Sequence, residues 1–155
     1  MSKLRDEIKQ TKPFASLEVE AVLNIVFTAE VLQRAAAEVL KPADLTPTQY
    51  NVLRILRGAG ESGLACGEIA ERLIHKDPDI TRLIDRMVDR GLVLRGRSEK
   101  DRRVVTVRVT AKGARLAAEM DGPLLEQHRR QLGHLGESRL KKLIELLEAA
   151  REAAE

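Results

Sequence analysis

The sequence predicts a mainly α-helical fold of the α+β kind, with one small β-hairpin set among amphipathic helices. Three features predict it. Aliphatic residues recur at helical spacing through most of the 155 residues. One segment, "VVTVRVT" (104–110), switches to the two-residue period of a strand and follows a short apolar run, "LVLR" (92–95). Immediately before that pair lie two short helical patterns separated by a tight polar turn.

Each element has its own signal. A short amphipathic lead, "LRDEIKQ", is interrupted by Pro13, after which Ser16 is suited to cap a long helix reaching about Leu40. Val19, Val22, Leu23, Val26, Phe27, Val31 and Leu32 keep helical spacing along it. "TPTQ" follows, with Thr46 at the N-cap, Pro47 at the first helical position and Gln49 two residues on. This is a capping box with the proline where its missing N–H costs nothing. That helix carries Tyr50, Leu53, Ile55 and Leu56 and stops at "GAGESG". "ACGEIAERLIHK" reads as a short helix ending near Ile74.

The next helix is expected to take Asp77 as its cap and Pro78 as its first residue. It carries Ile80, Leu83, Ile84, Met87 and Val88 on one stripe and ends at Gly91. Its other face, Asp79, Thr81, Arg82, Asp85, Arg86, Asp89 and Arg90, is wholly polar. The hairpin comes directly afterwards, so its basic connection lies beside the exposed helix, the arrangement of a winged helix-turn-helix. Thr110 is placed to cap a further helix, which Pro123 is expected to kink or restart. Gly133 to Gly136 mark a turn. Leu140, Leu143, Ile144 and Leu147 form the stripe of the last helix. The organisation is therefore 1–45, the first part of a helical dimerisation region; 46–110, the winged unit; and 111–155, the second part of the dimerisation region. The flanking helices carry more aliphatic surface than one such chain could cover, and pairing with a second copy is the simplest remedy.

Composition narrows the function. Aromatics are 2% of residues, so the core must be aliphatic. No apolar run approaches the length that crosses a bilayer, the N-terminus lacks a signal-peptide pattern, and one cysteine excludes an internal disulfide framework. A cytoplasmic location with no membrane partner is expected. The net charge of +3 is modest, but residues 76–115 hold twelve Lys/Arg against six Asp/Glu, which leaves the remainder of the chain at −3. That asymmetry points to a basic face on a neutral or acidic body. No phosphate loop, nucleophile elbow or paired acidic site is present, so an enzyme is not expected. His75, His128 and His134 fit no common metal spacing, and no metal or other cofactor is expected. Cys66 opens a helix, where the dipole favours thiolate, but its size suits simple packing.

"LTPTQYNVLRIL", "GEIAERL", "ITRLIDRMVDRGLV" and "VTAKG", with the charged segment between the last two, together resemble the multiple antibiotic resistance regulator (MarR) family of bacterial transcription factors. The most diagnostic part is the wing pattern Asp-x-Arg, five residues, Leu-Thr. It stands here as Asp101-Arg102-Arg103, five residues, Val109-Thr110, with valine replacing leucine. The resemblance runs from about Leu17 to Ala150. It implies a homodimer whose interlocked terminal helices present two winged units to a palindromic operator in double-stranded DNA. It also implies repression that a small lipophilic or phenolic anion relieves.

Candidate contacts follow from groove chemistry. The major groove admits one helix, and Lys76, Asp79, Thr81, Arg82 and Arg86 are the side chains expected to face it. Arg82 suits guanine O6/N7 or a phosphate. Asp79 has three uses open to it: accepting from cytosine N4, holding Arg82, or favouring the helix dipole as a first-turn carboxylate. Arg95, Arg97, Lys100 and Arg102 are expected on phosphates. Arg103 resembles the family's arginine that enters the minor groove, with Asp101 orienting it. A ligand pocket lined by Phe27, Arg34, Tyr50 and Arg115 is one reading of those residues; core packing and solvation are the plain alternatives. The competing function is a winged-helix interaction module that binds an acidic protein partner.

Overall fold

The computed structural model describes residues 3–152. The chain forms two compact units, Met1–Ala35 and Ala36–Glu155. The first holds α1 (Lys3–Glu7) and most of α2 (Leu17–Leu40). Ser16 caps α2 as expected, its Oγ accepting the Val19 N–H at 3.3 Å. Leu17, Val22, Val26 and Val31 are exposed apolar residues along α2.

The second unit carries α3 (Pro47–Ala59), α4 (Cys66–Arg72), α5 (Ile80–Asp89), β1 (Val93–Arg97), β2 (Val105–Val109), α6 (Ala111–Leu132) and α7 (Gly136–Glu152). The capping box of α3 is complete: Thr46 Oγ1 accepts from Gln49 N–H at 3.1 Å, and Gln49 Oε1 accepts from Thr46 N–H at 3.0 Å. α4 stops at Arg72 rather than near Ile74. Leu73 turns into extended backbone to bury its side chain, and Ile74 is left exposed. The start of α4 uses half a capping box, with the Glu68 carboxylate accepting the Ala65 N–H at 2.8 Å.

α5 ends in a Schellman motif. Gly91 takes φ +68°, its N–H reaches the Val88 carbonyl at 2.8 Å, and Leu92 N–H reaches Met87 at 3.0 Å. Met87 and Leu92, the apolar pair of that motif, are both fully buried. β1 and β2 pair antiparallel with Val93 opposite Val109 and Arg97 opposite Val105. β1 begins one residue later than the sequence suggests and runs two further, which places Arg95 and Arg97 on the strand instead of the loop. Leu64 adds a single-residue third strand for which the sequence carries no signal. It exchanges two backbone hydrogen bonds with Val107, at 3.0 and 2.7 Å. Gly63 permits this approach, because a Cβ there would meet the Val107 carbonyl oxygen at 2.5 Å.

Thr110 caps α6, its Oγ1 accepting the Gly113 N–H at 3.0 Å and donating to the Gly91 carbonyl at 2.6 Å. α6 is not restarted at Pro123: the helix runs unbroken through the proline from Ala111 to Leu132. The proline lacks the N–H that would bond to the Glu119 carbonyl, and both residues lie on an exposed face of the helix. Buried Ala117 and Leu124 hold α6 to the core on the other side. Leu53, Leu56, Ile69, Ile84, Met87 and Val107 complete one aliphatic core, so the helix-turn-helix, the hairpin and the first part of α6 share the same packing.

Candidate nucleic-acid interface

The turn between α4 and α5 is built from charged side chains acting on backbone. Lys76 folds back so that Nζ donates to the carbonyls of Ala70 and Glu71, at 3.1 and 2.7 Å, which serves the carbonyl end of α4. Asp77 Oδ1 accepts from Asp79 N–H at 2.8 Å, turning the chain. Asp79 is then the true N-cap of α5, its Oδ1 accepting from Arg82 N–H at 3.1 Å. The helix therefore starts two residues after the position expected from Asp77 and Pro78. Both aspartates offer the same acceptor, and the first closes on the second. Of the three uses open to Asp79, the structure shows the grip on Arg82, whose Nε lies 3.3 Å from Oδ2; the cap is a further use that the sequence assigned to Asp77.

Thr81, Arg82, Asp85 and Arg86 are exposed on α5. The wing loop, residues 98–104, is braced from within. Ser98 N–H reaches the Val104 carbonyl at 2.9 Å, and Ser98 Oγ accepts from Lys100 N–H at 3.2 Å. Arg97 Nη1 donates to the Arg102 carbonyl at 2.9 Å. Asp101 Oδ1 accepts the backbone N–H of Arg103 at 2.9 Å, so it orients the Arg103 main chain and leaves the guanidinium to other partners. Arg95 Nη2 meets Asp85 Oδ1 of α5 at 2.8 Å.

These contacts divide the cations that the sequence nominates. Lys76, Arg82, Arg95 and Arg97 each have an intramolecular partner. Among the described residues, the side chains of Arg86, Lys100, Arg102 and Arg103 have neither an ion pair nor a hydrogen bond. They lie on the polar face of α5 and in the loop of the adjoining wing. A shallow cleft of about 730 Å³ is lined by Arg97, Ser98, Glu99 and Arg102 at the wing. A second, of about 620 Å³, lies between the end of α2, the start of α3 and the last turn of α5, with Lys41, Arg86 and Arg90 balanced by Glu38, Asp44 and Asp89.

The four residues nominated for a ligand pocket line neither cleft. Phe27 is 37% exposed, Arg34 pairs with Glu30 on its own helix at 3.1 Å, and Arg115 is exposed on α6. Tyr50 has a specific use that the sequence did not disclose. Its hydroxyl donates to Asp121 Oδ1 of α6 at 2.6 Å, and Arg57 Nη1 donates to Asp121 Oδ2 at 2.9 Å. Burial and then the neighbouring carboxylate push the Tyr50 hydroxyl up to about 12. The Arg57 guanidinium, through its hydrogen bonds, holds the Asp121 carboxyl below its ordinary range. This three-residue cluster clamps α3 to α6. Tyr50 and Asp121 are 71 positions apart and share no motif, so no local signal could have found them.

A two-helix unit with an exposed, polar second helix and a basic, braced hairpin beside it defines the chain as a winged helix-turn-helix protein. The MarR family model matches residues 43–104. A MarR transcription factor from Planctomyces limnophilus, known from its crystal structure, is 43% identical; the match covers 88% of this chain and 99% of that one, with a TM-score of 0.66. A mutant of MarR from E. coli, crystallised with operator DNA, is 25% identical over 96% of this chain and 99% of that one, with a TM-score of 0.74. The transcriptional repressor IacR of Pseudomonas putida is 35% identical over 109 residues, 70% of this chain and 64% of IacR. The matched stretch spans between about half and two thirds of the length of the first three curated relatives. The chain belongs to the MarR family.

Proposed function

We propose that this chain is a transcriptional regulator that binds a palindromic operator in duplex DNA as a homodimer and acts as a repressor. The observation that carries the reading is the placement of unpaired cations. Arg86 on α5 and Lys100, Arg102 and Arg103 in the wing loop lie on adjoining elements, each set firmly by backbone capping or loop hydrogen bonds. α5 suits a major groove, with Arg86 and the Asp79-held Arg82 at base edges or phosphates. Arg103 suits the minor groove, and Lys100 and Arg102 suit flanking phosphates. Lys76 and Arg95 act inside the chain, on the turn and on the wing.

The exposed aliphatic residues of α2, together with Leu125 of α6 and Ile144 and Leu146 of α7, support a second copy as partner. Burying each is worth on the order of 1 kcal/mol. The operator complex reported for the E. coli relative and the repressor name of the Pseudomonas relative support the DNA and repression parts of the reading. Release by a small lipophilic or phenolic anion completes the proposal. Selection of bound fragments from a random duplex library tests it. The expected result is enrichment of an inverted repeat, with an affinity that falls steeply with salt and falls further for Arg103→Ala on the selected site. Absence of enrichment, together with binding to an acidic protein that Arg103→Ala weakens, would favour the interaction-module reading instead.

A further inference from the structure

The polar face of α5 carries a charge that DNA binding does not call for. Asp85 lies between Arg82 and Arg86 on the surface proposed to meet a polyanion, and its side chain is 55% exposed. A free carboxylate there would repel phosphate. Asp85 is not free. Arg95, from β1, spans the junction between helix and wing, with Nη2 2.8 Å from Asp85 Oδ1 and 3.4 Å from the Thr81 carbonyl oxygen. Thr81 and Asp85 are one helical turn apart, so one guanidinium holds two successive turns of α5. The strand position is equally specific. Arg95 lies opposite Val107 in the hairpin register, and Val107 is fully buried and bonded to Leu64, so the base of the arginine sits on an anchored part of the wing.

We infer that Asp85 and Arg95 are positioning residues whose ion pair sets the angle at which the wing leaves α5. The inference rests on the DNA-binding function proposed above. A partly solvated pair of this kind contributes little to folding stability. Its effect falls on selectivity, because α5 and the wing loop must meet two grooves of one duplex at once. A wing released from α5 still finds phosphates, but it no longer arrives in register with the bases that α5 reads.

The test uses the full-length chain, the duplex it selects and an unrelated duplex of equal length, measured by fluorescence anisotropy over a range of salt. Positioning predicts that Asp85→Asn weakens binding to the selected duplex about tenfold, although the variant removes an anion from a DNA-facing surface. Binding to the unrelated duplex stays equal or tightens. Arg95→Gln loses the same selectivity, the double variant is no worse than either single one, and the exchanged pair Asp85→Arg with Arg95→Asp recovers part of the selected-to-unrelated ratio. A phosphate-contact role for Arg95 predicts something else. Arg95→Gln would then weaken both duplexes alike and lower the salt slope by about 0.9, while Asp85→Asn would tighten both. That pattern overturns the inference and leaves the DNA-binding function standing. A wild-type chain that prefers no duplex overturns both.

Discussion

Replacing Asp121 with alanine opens the polar clamp between α3 and α6, and the structure sets the expected size of the effect. The Tyr50 hydroxyl loses its acceptor at 2.6 Å in a partly buried site, a loss of about 1–3 kcal/mol. The Arg57–Asp121 pair has side chains 29% and 44% exposed, so solvent screening limits its share to about 1 kcal/mol or less. Asp121→Ala is therefore expected to destabilise by about 2–3 kcal/mol, and Asp121→Asn, which keeps an acceptor for the hydroxyl, by about 1 kcal/mol. For a chain of 155 residues, the alanine variant corresponds to a melting temperature lower by about 5–10 °C at fixed protein concentration. Tyr50 is the chain's single tyrosine and there is no tryptophan, so tyrosinate absorbance reports on this site alone. In the wild type that absorbance should rise near pH 12; in Asp121→Asn it should move toward the ordinary value of about 10 without reaching it, because burial remains. The folded-state value lies above the unfolded one. Tyr50 thus favours the folded state fully below about pH 10 and loses that contribution as the pH rises toward 12. Tyrosinate appearing near pH 10 in the folded wild type, or an Asp121→Ala variant that melts with the wild type, would refute the clamp.

Four further outcomes follow from local geometry. Gly113→Ala forces a Cβ into the Leu92 carbonyl oxygen where α6 crosses the wing, and thermal melting should show a loss of about 3 kcal/mol. Gly58→Ala, in open space within α3, should instead stabilise by about 0.5–1 kcal/mol. Thr46→Ala removes half of the α3 capping box and should cost about 1 kcal/mol in a denaturant titration, with Thr46→Ser restoring most of it. On the acid side, the lowered Asp121 pKa means its pairing with Arg57 supports the fold above about pH 4 and is lost as pH falls below that value. Acid melts of Asp121→Asn should consequently converge with those of the wild type, and curves that stay parallel would contradict the assignment.

The parts of the fold legible in the sequence are those with a repeating or local signal. The apolar stripe of α5, the Thr46 and Thr110 caps, the Gly91 terminus and the alternating β2 were all readable, because each depends on residues within one or two turns of one another. Two neighbouring aspartates blurred the start of α5, since either could supply the cap. Pro123 leaves α6 continuous because the bond it removes lies on an exposed face, which the proline by itself does not disclose. The Leu64 strand is one residue long and has no period to detect. At the site, residue type was legible and residue use was not. Lys76, Arg95 and Arg103 look alike in a basic stretch, and only the fold shows that the side chain of the first reaches the end of α4, that of the second Asp85, and that of the third no partner among the described residues. Pairings such as Arg57 with Asp121 join segments 64 positions apart, beyond any local pattern.

The most direct test is the number of chains on one operator. Sedimentation of a labelled palindromic duplex, titrated with the chain at several salt concentrations, should give two chains per duplex and a far weaker complex with an isolated half-site. One chain per duplex, or a half-site held as tightly as the whole palindrome, would contradict a pair of winged units acting together on DNA.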